Sequence, residues 1–177
     1  GREYLVDCVR EMAQFKGSGV ECHIDSPGEP MLYTGIAGLV RELKAIDEVS
    51  VVSMQTNGTL LNDRTIAALE SAGLDRINLS IHALDPAIAQ HLAGVPYFDI
   101  GTVTDAAKAV AASAIDLLIA PVYLPAINDA EIPKLIRFAQ EIGAGKRFPP
   151  LGIQKFERYK YGRTPKGAGG RAWKLLL

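Results

Sequence analysis

Short apolar segments alternate with amphipathic segments along most of this 177-residue chain. The apolar segments, such as residues 49–54, are rich in β-branched side chains, which is typical of strands buried in a sheet. Between them, apolar residues recur every three or four positions, which is the period of a helix packed on one side. Parallel strands need a crossover connection, so the alternation predicts consecutive βαβ units. Because the strands are mostly apolar, we expect neither face of the sheet to be exposed to water.

The local patterns predict five strands and six helices. The strands are predicted at 20–24, 49–54, 76–81, 116–123 and 151–156. The helices are predicted at 3–15, 36–46, 63–72, 86–92, 102–112 and 129–142. Asn62 or Asp63 is expected to cap the third helix, which Gly73 closes, and Asn128 or Asp129 to cap the sixth.

An open doubly wound sheet and a (βα) barrel both fit this order of elements. No Gly-x-Gly-x-x-Gly motif opens a helix, which argues against a dinucleotide-binding doubly wound fold. We therefore predict a partial parallel (βα) barrel of the TIM type, with about five βα units in residues 1–156 and a C-terminal extension in residues 157–177. Because residue 3 already starts a helix, the first strand of such a barrel is expected upstream of Gly1.

The composition argues against nucleic acid and membranes as partners. The 19 Lys and Arg residues balance 20 Asp and Glu residues, so no global field favours nucleic acid or a membrane surface. Nucleic acid is not favoured, although residues 158–163 mix cations with aromatic side chains. No secretory signal is visible in the first residues, and there is no apolar run of roughly 20 residues. Two cysteines do not form a disulfide framework, so a cytoplasmic location is expected.

Polar, glycine-containing turns follow the first two predicted strands. Residues 26–30 (Ser-Pro-Gly-Glu-Pro) come after strand 20–24, and residues 55–61 (Gln-Thr-Asn-Gly-Thr-Leu-Leu) come after strand 49–54. The carboxyl ends of parallel strands meet at one edge of a sheet, where free backbone groups converge on ligands. The sequence therefore predicts a ligand site at this edge.

Four segments, taken in order, resemble the motifs of radical S-adenosylmethionine (radical SAM) enzymes. Residues 27–30 (Pro-Gly-Glu-Pro) are similar to the Gly-Gly-Glu-Pro motif of that family, with proline in place of the first glycine. Residues 55–61 resemble the turn after the family's third strand, and residues 78–82 its fourth strand. Residues 128–132 resemble the start of its fifth helix. The resemblance extends over residues 20–156.

This resemblance implies a SAM site at the carboxyl edge of the sheet. The backbone carbonyls of Pro27 and Gly28, with Glu29 nearby, would accept hydrogen bonds from the SAM ammonium group. Other polar side chains at the same edge would donate to its carboxylate or ribose. The predicted cofactor-binding residues are Pro27, Gly28, Glu29, Gln55, Thr56, Asn57, Asn78, Ser80 and His82.

The resemblance also implies a 4Fe-4S cluster, which in this family reduces SAM to give a 5′-deoxyadenosyl radical that removes a hydrogen atom from the substrate. Cluster ligands usually form a Cys-x3-Cys-x2-Cys motif, but this chain has only Cys8 and Cys22. The ligands are therefore expected upstream of Gly1, and no metal ligand or catalytic residue is assigned here. An electron donor such as ferredoxin or flavodoxin is the implied partner, and the substrate is left open.

Two other functions fit the same residues. One is a cluster-free (βα)-barrel lyase or isomerase that uses Glu29, His82 and Lys155. The other is a module that binds SAM without redox activity. A zinc site at Cys22 and His23 is disfavoured, because side chains alternate along a strand and these two would point to opposite faces.

Overall fold

The computed structural model describes residues 1–158, 160 and 162–168. The helices are α1 (Arg2–Lys16), α2 (Ile36–Lys44), α3 (Asp63–Ala72), α4 (Pro86–Ala93), α5 (Ile100–Ala112) and α6 (Ile132–Glu141). The strands are β1 (Val20–Ile24), β2 (Val49–Thr56), β3 (Arg76–Leu79), β4 (Asp116–Ile119), β5 (Val122–Tyr123) and β6 (Gln154–Lys155). Short 3-10 helices lie at Pro30–Leu32 and Asp129–Glu131. The predicted order of strands and helices is confirmed.

The sheet is parallel and its strands follow chain order, β1-β2-β3-β4. A doubly wound sheet reverses its strand order at a switch point, whereas this sheet does not. The order is that of a (βα) barrel, and the sheet is open in the described part of the chain. The prediction of a partial barrel is therefore confirmed.

The predicted fourth strand divides into β4 and β5 around Pro121. Proline has no N–H to donate to a sheet, so regular pairing is interrupted at this residue. The predicted fifth strand runs parallel beside this pair, because Leu151 bridges Ile119 and β6 pairs with β5. Only two residues of this last strand are regular.

One face of the sheet packs against the helices. Fully buried Val52, Met54, Ile77 and Leu117 belong to a single core that also contains buried side chains of α2, α3 and α5. The helices therefore cover one side of the sheet, and the other side is not covered by them.

None of the helices in the residues described above is both long and apolar enough to cross a membrane.

The opposite face of the sheet is polar, contrary to our expectation from the sequence. We call this surface the polar face. Val51 and Leu118 also lie on it, and its polar residues are Glu21, His23, Ser53, Gln55, Arg76, Asn78 and Ser80. In β1, Val20, Cys22 and Ile24 pack against the core, whereas Glu21 and His23 are exposed. The alternation that separates Cys22 from His23 is thereby confirmed.

Candidate functional site

The first turn, residues 26–30, is built by local hydrogen bonds. The Ser26 hydroxyl donates to the Gly28 carbonyl (3.1 Å) and accepts from the Gly28 N–H (3.3 Å). Pro27 and Gly28 are both exposed. A Cβ atom placed on Gly28 would meet no heavy atom within 4 Å, so open space lies beside this backbone. A ligand can therefore approach the turn closely.

Glu29 joins this turn to the second one. Its Oε1 accepts from the Thr56 hydroxyl (2.6 Å) and from the Met31 N–H (3.0 Å). Its Oε2 accepts from the Asn57 N–H (2.8 Å). Glu29 also caps the 3-10 helix at Pro30–Leu32. The carboxylate is thus committed to holding the two turns together.

Thr56 is buried, and the single hydrogen of its hydroxyl is used. It donates to Glu29 and accepts from the Gly58 N–H (3.1 Å). A role for Thr56 as a donor to SAM, which we predict from the sequence, would require the bond to Glu29 to break. In this structure Thr56 supports the turn on which Asn57 lies.

Position 58 requires glycine, because of its backbone conformation and because of the side chains beside it. Its φ is +79°, and an added Cβ would lie 2.6 Å from Cδ1 of the fully buried Leu79. We expect Gly58→Ala to lower the free energy of unfolding by about 2–4 kcal/mol, because left-handed strain and overpacking add. Chemical denaturation measures this change. Gly28→Ala is the matched control, expected within about 0.5 kcal/mol; equal losses for both variants would contradict this account.

Gln55, Asn78 and Ser80 lie on the polar face near the carboxyl edge. Gln55 Nε2 donates to Ser80 Oγ (2.6 Å), which leaves the hydroxyl hydrogen of Ser80 for a ligand. Asn78 Oδ1 accepts from Arg76 Nε (2.8 Å), so Asn78 is tied to a residue deeper on the face. Of the predicted SAM-binding residues, Ser80 is therefore better placed than Asn78 to donate at the edge.

A cavity of about 590 Å³ opens beside these turns. Its volume is within the range of 300–1,000 Å³ that small-molecule sites occupy. Its lining combines polar and apolar side chains from β2 and β3 turns and from the segment between α4 and α5. The lining residues are Asn57, Thr59, Ser80, His82, Leu92, Ala93, Val95, Tyr97, Phe98, Asp99 and Thr102. The structure brings three of the predicted residues, Asn57, Ser80 and His82, to this cavity.

His82 presents a fixed tautomer to the cavity. Its Nδ1 accepts from the Val122 N–H (3.1 Å), so in the neutral ring the hydrogen is on Nε2. Burial disfavours the charged ring and lowers the pKa of His82 from 6.5 to about 4. At neutral pH His82 is therefore an uncharged donor.

The lowered pKa of His82 makes stability depend on pH. Between pH 6.5 and pH 4 the unfolded chain binds a proton that the folded chain does not, so the free energy of unfolding falls as pH falls through this window. The full effect is about 3 kcal/mol. We expect His82→Asn, which can keep an acceptor near Nδ1, to lose this part of the pH dependence. Denaturation at several pH values checks it, and an unchanged profile would exclude the role of His82.

Asn128 and Glu131 form a buried latch, which we call the 128–131 latch. Asn128 Nδ2 donates to the carbonyls of His82 (2.8 Å) and Val122 (2.9 Å). Its Oδ1 accepts from the Leu124 N–H (2.8 Å). The prediction that Asn128 caps the helix is therefore wrong, because its side chain bonds to these other backbone groups and makes no hydrogen bond to the start of the helix. Asp129 instead accepts from the Tyr123 hydroxyl (2.7 Å).

Glu131 is a structural residue that the sequence did not reveal. It is 1% exposed, and its Oε2 accepts from the backbone N–H groups of Leu84 (2.7 Å) and Asp85 (2.9 Å). Its Oε1 accepts from Lys134 Nζ (2.6 Å). Burial alone would raise the pKa of Glu131, but these hydrogen bonds lower it below its ordinary value. The 128–131 latch thereby fixes the segment after β3, which includes His82.

The described residues do not supply a cluster site. Cys8 lies on α1 and Cys22 on β1, and no three His, Cys, Asp or Glu side chains within the described ranges are grouped to hold a metal. The two cysteines are therefore not suited to hold a 4Fe-4S cluster. The two turns and the cavity, in contrast, have groups and space that suit SAM. Lys155, which the cluster-free alternative uses, is exposed on β6.

Sequence comparison identifies related proteins. The family model described as Radical SAM superfamily matches residues 3–139. An uncharacterized protein from Methanocaldococcus jannaschii is 42% identical over 93% of this chain and 41% of its own length. GTP 3',8-cyclase from Chlorobaculum tepidum is 31% identical over 93% of this chain and 49% of its own length. The chain thus spans less than half the length of these two relatives.

Structural comparison gives the same picture of the fold. SuiB from Streptococcus suis, bound to its precursor peptide SuiA, has a TM-score of 0.71 at 20% identity. The match covers 88% of this chain and 33% of the SuiB chain. SuiB bound to S-adenosylmethionine has a TM-score of 0.63 over 80% of this chain and 30% of its own, at 20% identity. Coproporphyrinogen III oxidase (HemN) from Escherichia coli has a TM-score of 0.61 at 13% identity, over 88% of this chain and 37% of its own.

Proposed function

The chain belongs to the radical SAM superfamily of enzymes, and from this premise we propose that it binds SAM across the first turn, the second turn and the cavity. The observation that carries the proposal is the Glu29 carboxylate, which joins both turns beside a cavity of suitable size. Pro27 and Gly28 present backbone carbonyls to the SAM ammonium group. Ser80 and His82 offer an O–H and an N–H to the carboxylate or the ribose.

We propose that the protein cleaves SAM reductively and that this cleavage leads to the removal of a hydrogen atom from a substrate. The proposed reaction also requires a 4Fe-4S cluster and an electron donor such as ferredoxin or flavodoxin. Neither is assigned to residues of the described part of the chain. What these residues do is hold SAM: Glu29 fixes the turns, Gly28 leaves room for the ligand, and the 128–131 latch keeps His82 in place.

The test is SAM turnover by the protein produced from its complete reading frame under anaerobic conditions. Iron, sulfide and 5′-deoxyadenosine are measured with a chemical reductant, with and without GTP. GTP is the first probe because it is named in the activity of the Chlorobaculum tepidum relative. About four irons per chain and formation of 5′-deoxyadenosine are expected. Absence of iron with intact SAM would favour the module that binds SAM without redox activity.

A further inference from the structure

Arg163, in the basic segment at residues 158–163, binds the last turn of α4. Its Nη1 donates to the Leu92 carbonyl (2.7 Å), and its Nη2 donates to the His91 carbonyl (2.8 Å). The last carbonyls of a helix have no partner within the helix, and a cation is favoured beside them. The guanidinium thus supplies both the donors and the charge that this helix end requires.

A second contact between the same two segments runs in the opposite direction. His91 Nε2 lies 2.9 Å from the Lys166 carbonyl, and because a carbonyl only accepts, the imidazole is the donor. We call residues 162–168 the strap. Helix α4 therefore donates one hydrogen bond to the strap and accepts two from it.

The strap leads from the last strand back to α4. It follows β6, which pairs with β5, whereas α4 follows β3. Its buried residues are Pro165 and Ala168, and Arg158 Nη2 donates to the Ala168 carbonyl (2.6 Å). The other residues of the strap are exposed. A segment with so little buried apolar surface opens at a low cost in free energy, so its bonds to α4 decide whether it stays docked.

The part of α4 that the strap holds begins one wall of the cavity. We call residues 92–98 the cavity wall. The residues of this wall that line the cavity are Leu92, Ala93, Val95, Tyr97 and Phe98. Gln90 Nε2 donates to the Phe98 carbonyl (3.2 Å), which ties the far end of the wall to α4. Arg163 fastens the near end at Leu92, so the strap acts on the cavity through the wall.

We propose that the strap positions the cavity wall for ligand binding, and that Arg163 is the positioning residue that couples the strap to the cavity. This inference rests on the proposed function, in which SAM occupies the cavity. When the strap is released, the last turn of α4 loses three hydrogen bonds and the wall is no longer held at its near end. SAM in contact with the wall favours the docked strap, and the docked strap favours SAM by the same factor.

Hydrogen exchange without ligand tests whether the strap holds the wall. In the protein produced from its complete reading frame, Arg163→Ala is expected to speed amide exchange in residues 90–98 by about threefold or more. Arg137→Ala, at an exposed position of α6, is the matched control and should leave this exchange unchanged. Mass spectrometry of peptides from this region gives the rates. Equal rates in the two variants would overturn the proposal.

Calorimetric titration with SAM tests the coupling itself. Arg163→Ala is expected to raise the Kd for SAM by about 5–20-fold, which is within the usual range of coupling between two sites. Arg163→Lys keeps the charge but not the planar pair of donors, so its Kd should lie between those of Arg163→Ala and the unmodified protein. Arg137→Ala should bind SAM as the unmodified protein does. An unchanged Kd in Arg163→Ala contradicts the proposal.

The reverse effect separates coupling from simple support of the fold. The Ala168 N–H donates to the Pro165 carbonyl (3.0 Å), so exchange in residues 163–168 reports whether the strap is ordered. Saturating SAM is expected to slow this exchange by about twofold or more in the unmodified protein, and to have no such effect in Arg163→Ala. If SAM binds and leaves the exchange of the strap unchanged, the coupling alone is refuted. If SAM does not bind to the unmodified protein, the proposed function fails and the coupling fails with it.

Discussion

Replacement of Glu131 by alanine is expected to lower the free energy of unfolding by about 3–5 kcal/mol. The substitution leaves the Leu84 and Asp85 N–H groups without their acceptor and Lys134 without its counter-ion. Both N–H groups belong to the segment that leads from β3 into α4. For a domain of this size the loss corresponds to a fall in Tm on the order of 10 °C. Differential scanning calorimetry gives the value.

The matched control for this experiment lies on the helix that follows Glu131. Glu141 is at the exposed end of α6, and Glu141→Ala is expected to change the free energy of unfolding by about 0.5 kcal/mol or less. If Glu131→Ala were as mild as Glu141→Ala, the 128–131 latch would not be holding the segment after β3.

Replacement of Glu29 by alanine is expected to weaken SAM binding by about 10–100-fold. Glu29 makes three hydrogen bonds, two of them to the second turn, and hydrogen bonds to charged groups contribute about 1.5–3 kcal/mol each. Each 1.4 kcal/mol of binding free energy is about tenfold in Kd. The loss follows because the turns that carry Gly28 and Asn57 are no longer held together. Calorimetric titration with SAM measures it.

Two comparisons make this result specific. Glu29→Gln keeps one acceptor oxygen and should bind SAM with an affinity between those of the unmodified protein and Glu29→Ala. Glu11→Ala, on the exposed side of α1, should leave the Kd unchanged. A Kd for Glu29→Ala equal to that of Glu11→Ala, in a protein with unchanged circular dichroism, would remove Glu29 from the binding account.

The sequence was sufficient for the order of elements because that information is local. Asn62 caps α3 through a reciprocal capping box with Thr65, and Gly73 ends the helix in the left-handed conformation. The sheet order could not be read from these patterns. It depends on which strands pair, and the alternation of strands and helices is the same in a barrel and in a doubly wound sheet.

The polar face was missed although the sequence contains its signal. Glu21 and His23 alternate with Val20, Cys22 and Ile24, which is the period-two pattern of a strand with one polar face. Residues 49–54 are strongly apolar and do not show this pattern, so they predict a sheet that is buried on both faces. The pattern of residues 20–24, taken alone, predicts the polar face.

The 128–131 latch could not be predicted, because its contacts are distant in sequence. Glu131 binds the backbone N–H groups of Leu84 and Asp85, which are 47 and 46 residues away. Local rules favour Asn128 as a helix cap, yet its side chain binds His82 and Val122 carbonyls instead. Tertiary contacts therefore decided the role of both residues.

The most direct test of the central claim is a crystal structure of the protein, produced from its complete reading frame and crystallised anaerobically with SAM. We expect SAM density against the backbone of Pro27 and Gly28, continuing into the cavity beside Ser80 and His82. SAM bound at another surface, or clear density for these turns with no SAM at saturating concentration, would contradict the account.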